Sequence, residues 1–579
     1  MKAAWASLAS IVPLASCASH ATQMTPMTPI SGPASVARDR QLTHDEQVRQ
    51  ALNRLTFGPR PGDIARVSSL GIDKWIDMQL NPASIPDTLA DRVLATMETQ
   101  RKSVVELIAD HPDPQEIQQR LNQQRAAAGG AGGVLVAFSA ADSLMLRRAQ
   151  QTAAQLTAQI QAARVLRAVA SERQLQEVMT DFWENHFSVF VGKSPNRYSL
   201  VEYDRDVIRP HALGKFRDLL GAVAKSPQML FFLDNYQSSV DSLHPNVDEA
   251  RIELRRQSNA DPDVQRFAAL PRRRPRGVNE NYAREVMELH TLGVDGGYTQ
   301  TDVQEMARAL TGWTIGVPQL GGGFVFRPEL HDAGAKTVLG HSLPPGRGVE
   351  DGEAALDIVA RAPATARFIA TKLARHFVSD DPPPTLVDRC AGAFRRTDGD
   401  IRETMRCIIA SPEFFSRAAY HAKVKTPFEL VTSAMRALGA QADTTPRGAQ
   451  AVAQLGQPIF GRLTPDGWPD RGDAWMNSGA ILNRINFGFR LAAGQFPMVG
   501  VARWPSAARL RSLPVDAQVN GVIDELLGGD VSAETRRILS SGENPMLAAA
   551  PPAKTPVPQL TGLPGIVGLA LGSPEFQRR

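Results

Sequence analysis

Several familiar signatures are missing from this chain, and each absence removes a class of function. Cysteine occurs three times in 579 residues, and no two stand in a CxxC pair, so a thiolate zinc site has no starting point. There is no HExxH, no GxSxG elbow, no Walker loop, no GxGxxG after a strand and no haem CxxCH. Charge of one sign is also lacking: Lys plus Arg number 64 against 60 for Asp plus Glu, a net of +4. So small an excess makes no broad basic field, and nucleic acid is not an implied partner. The basic run Arg272-Arg273-Arg274-Pro275-Arg276 lies in a polar stretch and reads as a solvated loop. No uninterrupted apolar run reaches the roughly 18 residues of a transmembrane helix. What is present is a globular balance, 43% hydrophobic and 21% charged, on a chain long enough for about two to four folding units.

The N-terminus reads as a targeting segment. Lys2 supplies a positive charge, and Ala3 to Ala15 is apolar but short for a membrane span. It runs into Leu14-Ala15-Ser16-Cys17, which resembles the lipobox of bacterial lipoproteins. The resemblance implies cleavage before Cys17 and acylation of its thiol; ordinary signal cleavage after Ala18 or Ala21 is the alternative. Residues 18–43, rich in Ser, Thr, Pro and Met, suit a flexible tether. Ala18 after the cysteine is similar to lipoproteins sorted to the outer membrane. The expectation is therefore an exported, lipid-anchored protein of the bacterial cell envelope, with the membrane as partner through its anchor.

Beyond the tether, Thr43-His44-Asp45-Glu46 is a capping box opening a helix with Val48, Leu52 and Leu55 on one side. An Ala/Gly stretch marks a sub-boundary near 126–136. Helical periodicity then runs from about Ala137 to Phe190. A long loop or mobile insertion is expected at 236–278. The one β signal joins Gly321–Phe326 to Lys336–Gly340 as a small hairpin. Helices resume from Gly352 to about Gly439, a Gly/Pro/Trp loop fills 455–476, and 541–562 is an Ala/Pro linker before a closing segment at 563–579. The fold class is mainly α: a large irregular multi-helix domain, 44–540, with one small β-hairpin insertion. Cys390 and Cys407 lie about equally far from the turn Thr397-Asp398-Gly399-Asp400. An antiparallel helical hairpin would set them opposite each other, as a disulfide or as two buried thiols. The motif Ser-Pro-Glu-Phe occurs twice, at 411–414 and 573–576, and Ser before Pro reads as a helix start.

From Asn279 the chain reads Asn-Glu-Asn-Tyr-Ala-Arg-Glu-Val-Met-Glu-Leu-His-Thr-Leu-Gly, continuing through Asp295-Gly296-Gly297-Tyr298-Thr299-Gln300 to Ala309-Leu310-Thr311-Gly312-Trp313. This strongly resembles the signature of the DUF1800 family. Phe182-Trp183-Glu184-Asn185-His186-Phe187, His331-Asp332-Ala333-Gly334-Ala335-Lys336 and Lys425-Thr426-Pro427-Phe428-Glu429 add to the likeness, as do Leu52–Gly58 and the closing Ser573–Phe576. The family's members resemble exported bacterial proteins, often encoded beside DUF1501 (sulfatase-like) proteins, and it carries over no agreed activity or catalytic residues. The resemblance thus implies a DUF1501-type partner and leaves the chemistry to the residues.

On a helical wheel Asn281, Arg284, Glu285 and Glu288 share one arc of about 100°, with His290 on the opposite, apolar side. Glu285, Glu288, His186 and His331 are the catalytic candidates. Two carboxylates three residues apart could divide acid and base work, and with the histidines and Asp332 they could hold a divalent metal. A calcium loop around Asp295, Thr299 and Asp302 lacks its first carboxylates. The bland reading is a charged stripe locking helices together. Lys336 could hold an anion, against the default of an exposed hairpin lysine. Trp468 and Trp475 offer aromatic faces of the kind that stack on sugars, or could plug the core. Two functions follow: a protein that acts on or binds an extracellular polymer such as polysaccharide, or a non-catalytic assembly module.

Overall fold

The computed structural model describes residues 40–128, 138–193, 195–241, 244–246, 277–317, 322–543 and 559–579. Cys17, the tether to residue 39, Arg272–Arg276, most of the 126–136 stretch and most of the 541–562 linker lie outside them, as do residues 247–276 of the expected loop.

Capping chemistry sets the helix starts. Thr43 accepts from the amide of Glu46 and Glu46 bonds back to Thr43 N, opening α1, His44–Leu55. Helices α2, Asp63–Leu70, and α3, Ile72–Leu80, follow after glycine caps. Ser139 and Asp142 form another capping box for the 31-residue α4, Ala140–Ala170. This helix is separated from α5, Gln174–His186, by a break at Ser171, whose hydroxyl donates to Asp87 at 2.7 Å. What periodicity alone runs together as one helical region is therefore two helices. A short helix α6, Glu280–Glu285, passes directly into a π-helical turn, Val286–Thr291. The Thr291 hydroxyl bonds the Val286 carbonyl five residues back at 2.6 Å, which supports the wider turn. A wheel drawn at a constant 100° therefore loses register after Glu285. Thr299 and Asp302 cap α7, Gln300–Ala309.

Four three-residue strands follow: β1, Trp313–Ile315, β2, Phe324–Phe326, β3, Lys336–Val338, and β4, His341–Leu343. The two segments expected to pair with each other each take another partner. β1 pairs antiparallel with β2, and β3 with β4. Gly340, at φ 77°, makes the tight β3–β4 turn that a pattern of apolar runs does not reveal.

Then come α8, Val349–Arg361, α9, Pro363–Phe377, α10, Pro384–Arg396, and α11, Ile401–Ile409. A disulfide joins Cys390 on α10 to Cys407 on α11, their Cα atoms 5.6 Å apart. Next are α12, Pro427–Ala437, α13, Ser478–Ala492, and α14, Gly562–Gly572. The last two pack closely because glycine permits it: a Cβ on Gly488 would stand 2.9 Å from the Gly568 carbonyl. Each Ser-Pro-Glu-Phe copy closes a helix rather than opening one. Ser411 and Ser573 accept the amides of Phe414 and Phe576, both at 3.3 Å, forming the same tight turn.

Length predicts several folding units, yet one buried apolar cluster runs from Leu42 to Phe576 and Arg40–Arg579 forms one compact unit. The fold is mainly helical with two small strand pairs. Among the described residues no helix is long and apolar enough to cross a membrane.

Candidate functional site

Five separate stretches of sequence meet around a pocket of about 370 Å³. They are the C-terminal half of α5, the face of α9 carrying Lys372, Arg375 and His376, the start of α12, and the loop segments 457–462 and 466–471. The loop is fastened to α5 by backbone-like pairing. Asn185 donates through Nδ2 to the Trp468 carbonyl at 2.9 Å and accepts from the Trp468 amide at 2.6 Å. Gly467 is required there: at φ 73°, a Cβ would stand 2.1 Å from the Asn185 carbonyl.

His186 sits at the floor, buried. Its Nε2–H donates to the His290 carbonyl at 3.1 Å, so its Nδ1 is left as an acceptor and takes a hydrogen bond from Lys372 Nζ at 2.8 Å. Burial, with the Lys372 charge beside it, holds His186 well below the usual imidazole range. Burial likewise lowers the Lys372 ammonium to about 8. Next along α9, His376 Nδ1 contacts Asp470 at 3.0 Å, and Lys423 reaches Asp380 at 2.6 Å and Asp470 at 2.9 Å. Against the cost of burial, His376 and Lys423 hold the Asp470 carboxyl far below the usual range. The Arg579 guanidinium, 2.7 Å from Glu429, also donates to the His376 carbonyl.

Beneath the pocket four carboxylates share two guanidinium groups. Arg164 reaches Glu184 at 2.7 Å, Asp181 at 3.4 Å, Glu177 at 3.7 Å and Asp204 at 3.8 Å. Arg209 reaches Glu177 at 2.5 Å and Asp204 at 2.7 Å. The low-dielectric surroundings of Asp181 raise its carboxyl to about 6, against the pull of Arg164. Burial also raises Glu184 above the usual range, opposed by the same guanidinium. Chemically, the pocket thus offers an acid that holds a proton near pH 6 and an amine lowered toward neutrality, beside the half-buried Trp468.

The four catalytic candidates do not converge on this pocket. Only His186 lines it. Glu285 and Glu288 stand together on the α6–π segment; burial and the neighbouring Glu288 raise Glu285, and Glu288 accepts from the Tyr298 hydroxyl at 3.2 Å. His331 is fully buried elsewhere, with Nδ1 to the Thr311 carbonyl at 2.7 Å and Nε2 to Asp351 at 3.3 Å. Lys336 is not an exposed hairpin lysine but a buried one. Its ammonium bonds Asp351 at 2.7 Å and the carbonyls of Asp332 and Gly334 at 2.6 and 2.9 Å, leaving it no donor for a ligand. Asp332 is buried against Arg308 at 2.7 Å. Trp475 plugs the core, its indole N–H donating to the Pro469 carbonyl at 3.0 Å, while Trp468 remains in the pocket wall. His290 is buried, as its apolar side implied. Among the described residues no three His, Cys, Asp or Glu side chains gather as a metal site.

Sequence reasoning missed Asp181, Lys372, Arg375, His376 and Asp470. Lys372 and His376 are four residues apart on an otherwise ordinary amphipathic helix, and nothing local separates them from surface charges. Asp470 carried a weak signal, as it lies within the Gly/Pro/Trp loop already singled out.

Residues 50–578 match the DUF1800 family, whose description is protein of unknown function. No curated relative and no solved structure matches the chain.

Proposed function

The chain belongs to the DUF1800 family, and from that premise we propose that it is an exported, lipid-anchored protein of the bacterial envelope that binds an extracellular polysaccharide in the Trp468 pocket, alongside a DUF1501-type partner. The observation that carries the reading is the pocket: an aromatic wall, Trp468, beside polar groups including Asp181, whose surroundings raise it to about 6. Sugars are recognised by stacking on an aromatic face with polar side chains around the rim, and a carboxylic acid near pH 6 can protonate a glycosidic oxygen. Export is supported by Lys2, the apolar Ala3–Ala15 and the lipobox-like Leu14–Cys17, and by the Cys390–Cys407 disulfide, which favours an oxidising compartment.

The test has two parts. Tryptophan fluorescence of the purified protein is titrated with oligosaccharides; saturable change in the parent, lost in Trp468→Ala, is expected, and no change with any saccharide overturns the ligand. Labelled-palmitate incorporation and membrane fractionation of the parent and Cys17→Ser check the anchor. Label on Cys17→Ser, or none on the parent, overturns it.

The assembly reading keeps one specific support. Arg164 and Arg209 are buried and bridge carboxylates of α5 to Asp204, and a charged cluster of that kind can lock neighbouring segments together.

A further inference from the structure

The pocket's charges are unevenly committed. Its carboxylates all have cationic partners: Asp181 and Glu184 share Arg164, Asp466 pairs with Arg462 at 2.6 Å, Asp470 with Lys423, and Glu429 with Arg579. Arg471, also at the rim, is 2.8 Å from Asp381. Two cations differ. Lys372 donates to the neutral ring of His186 and stands 5.5 Å from the Phe368 ring centroid, and among the described residues no carboxylate oxygen lies within 4.0 Å of it. Arg375 spends its Nε on the Asp380 carbonyl at 3.0 Å and likewise has no carboxylate within that distance. Both are half-buried and line the pocket, three residues apart on α9, so their charges fall on one face of the helix.

A half-buried cation with no carboxylate in direct contact has hydrogen-bonding capacity that an entering anion can take up. These two cations of the pocket lining, neither with a carboxylate in salt-bridge contact among the described residues, are both on the same wall. His186 fixes where one of them points, because its Nδ1 is the acceptor and the His290 carbonyl holds the ring. An anionic group entering beside α9 would gain two charge-assisted hydrogen bonds, with the planar guanidinium of Arg375 suited to a forked contact. Of the carboxylates across the pocket, Asp466, Asp470 and Glu429 each have a cation of their own in Arg462, Lys423 and Arg579, while Asp181 and Glu184 share Arg164, so the α9 wall is where an anion is favoured.

We infer that Lys372 and Arg375 form an anion subsite, so that the saccharide bound in this pocket is an acidic one, carrying a carboxylate or a sulfate ester. This rests on the saccharide reading above and narrows it to a charge class. The shared chemistry is an anionic oxygen group on a sugar; a uronate and a sulfated sugar are its two sources.

The experiment compares three oligosaccharides of matched length on the full chain by calorimetry in low salt: a neutral glucan, an oligogalacturonate and a chondroitin sulfate fragment. At least one acidic ligand should bind about tenfold or more tightly than the glucan, as expected for hydrogen bonds to a charged group. Lys372→Met and Arg375→Gln should each remove about that factor of the acidic ligand's advantage over the glucan. Preference for the uronate or for the sulfated fragment identifies the source of the charge. Should Lys372→Met unfold because His186 loses its partner, Arg375→Gln, which touches no part of that chain of bonds, carries the test alone. Equal binding of neutral and acidic ligands, unchanged in Arg375→Gln, overturns the anion subsite and leaves the saccharide reading standing. No binding of any of the three overturns both.

Discussion

His290 is an imidazole enclosed in the core with its Nε2 lacking a hydrogen-bond partner among the described residues. Its ring stands 5.0 Å from that of Phe187, and burial lowers its pKa to about 3. In the unfolded chain it would titrate near the ordinary value, so between about pH 6.5 and 3 the unfolded state holds the extra proton. Stability from this site is complete above that window and is lost as the pH falls through it. His290→Leu should therefore unfold at lower pH than the parent in an acid titration followed by circular dichroism, with little change at pH 7, where no bonded side-chain atom is removed. An acid midpoint that moves upward would refute this. Lys336 makes the opposite case, since all its hydrogen bonds are internal. Lys336→Met leaves Asp351 and two carbonyls short of a donor in the core and should cost about 3–5 kcal/mol in urea unfolding; a cost below about 1 kcal/mol would mean the site relaxes or admits water. The motif around His331 was legible as sequence, but its lysine looked exposed, because Asp351 stands fifteen residues further on and only the fold brings it under the ammonium.

Among the helices, those with strong caps were readable. Thr43, Thr299 and their acidic partners three residues on declare helix starts that the structure has. The π turn at Val286–Thr291 was not, because a polar stripe at i, i+3, i+4, i+7 reads the same until the backbone widens. The strands were visible as β-prone segments while their partners were not; three-residue strands carry too little alternation to specify register. The hairpin of α10 and α11 is the element on which spacing and structure meet most directly, through the Cys390–Cys407 disulfide. Closing a loop of 17 residues restricts the unfolded chain, and by the loop-entropy argument contributes about 3 kcal/mol. Cys390→Ala with Cys407→Ala should lower the unfolding free energy by about that amount, and a reductant should lower the parent's melting temperature without affecting the double variant. A variant as stable as the parent would show that packing of Leu386, Phe394 and Ile408 already holds the hairpin.

At the scale of the molecule, buried arginines tie distant segments into one unit. Arg436 on α12 donates to the Gly58 carbonyl at 2.7 Å and the Val169 carbonyl at 2.8 Å, and contacts Asp63 at 3.4 Å. These are contacts across 378 and 267 residues, and they join the first helices, the long α4 and the later half of the chain. Arg436→Met should cost about 3 kcal/mol, since it leaves the buried Gly58 and Val169 carbonyls without their donor, while Asp63 keeps Arg66 and Arg60. Limited proteolysis should then cut earlier in the first 80 residues than in the parent; cleavage at the parent's rate would show that the apolar contacts of Leu52 and Leu55 suffice. Local chemistry in the sequence determined the mainly helical class, the capped starts of α1 and α7, the antiparallel spacing of the two cysteines and the family signature, because these depend on neighbours within a few turns. Only the tertiary structure decided that Lys336 is buried, that His186 and His331 lie in separate networks, and that Lys372, Arg375 and Trp468 face one pocket. Those are contacts over many tens to hundreds of residues, set by how helices pack around one core, and no local periodicity encodes them.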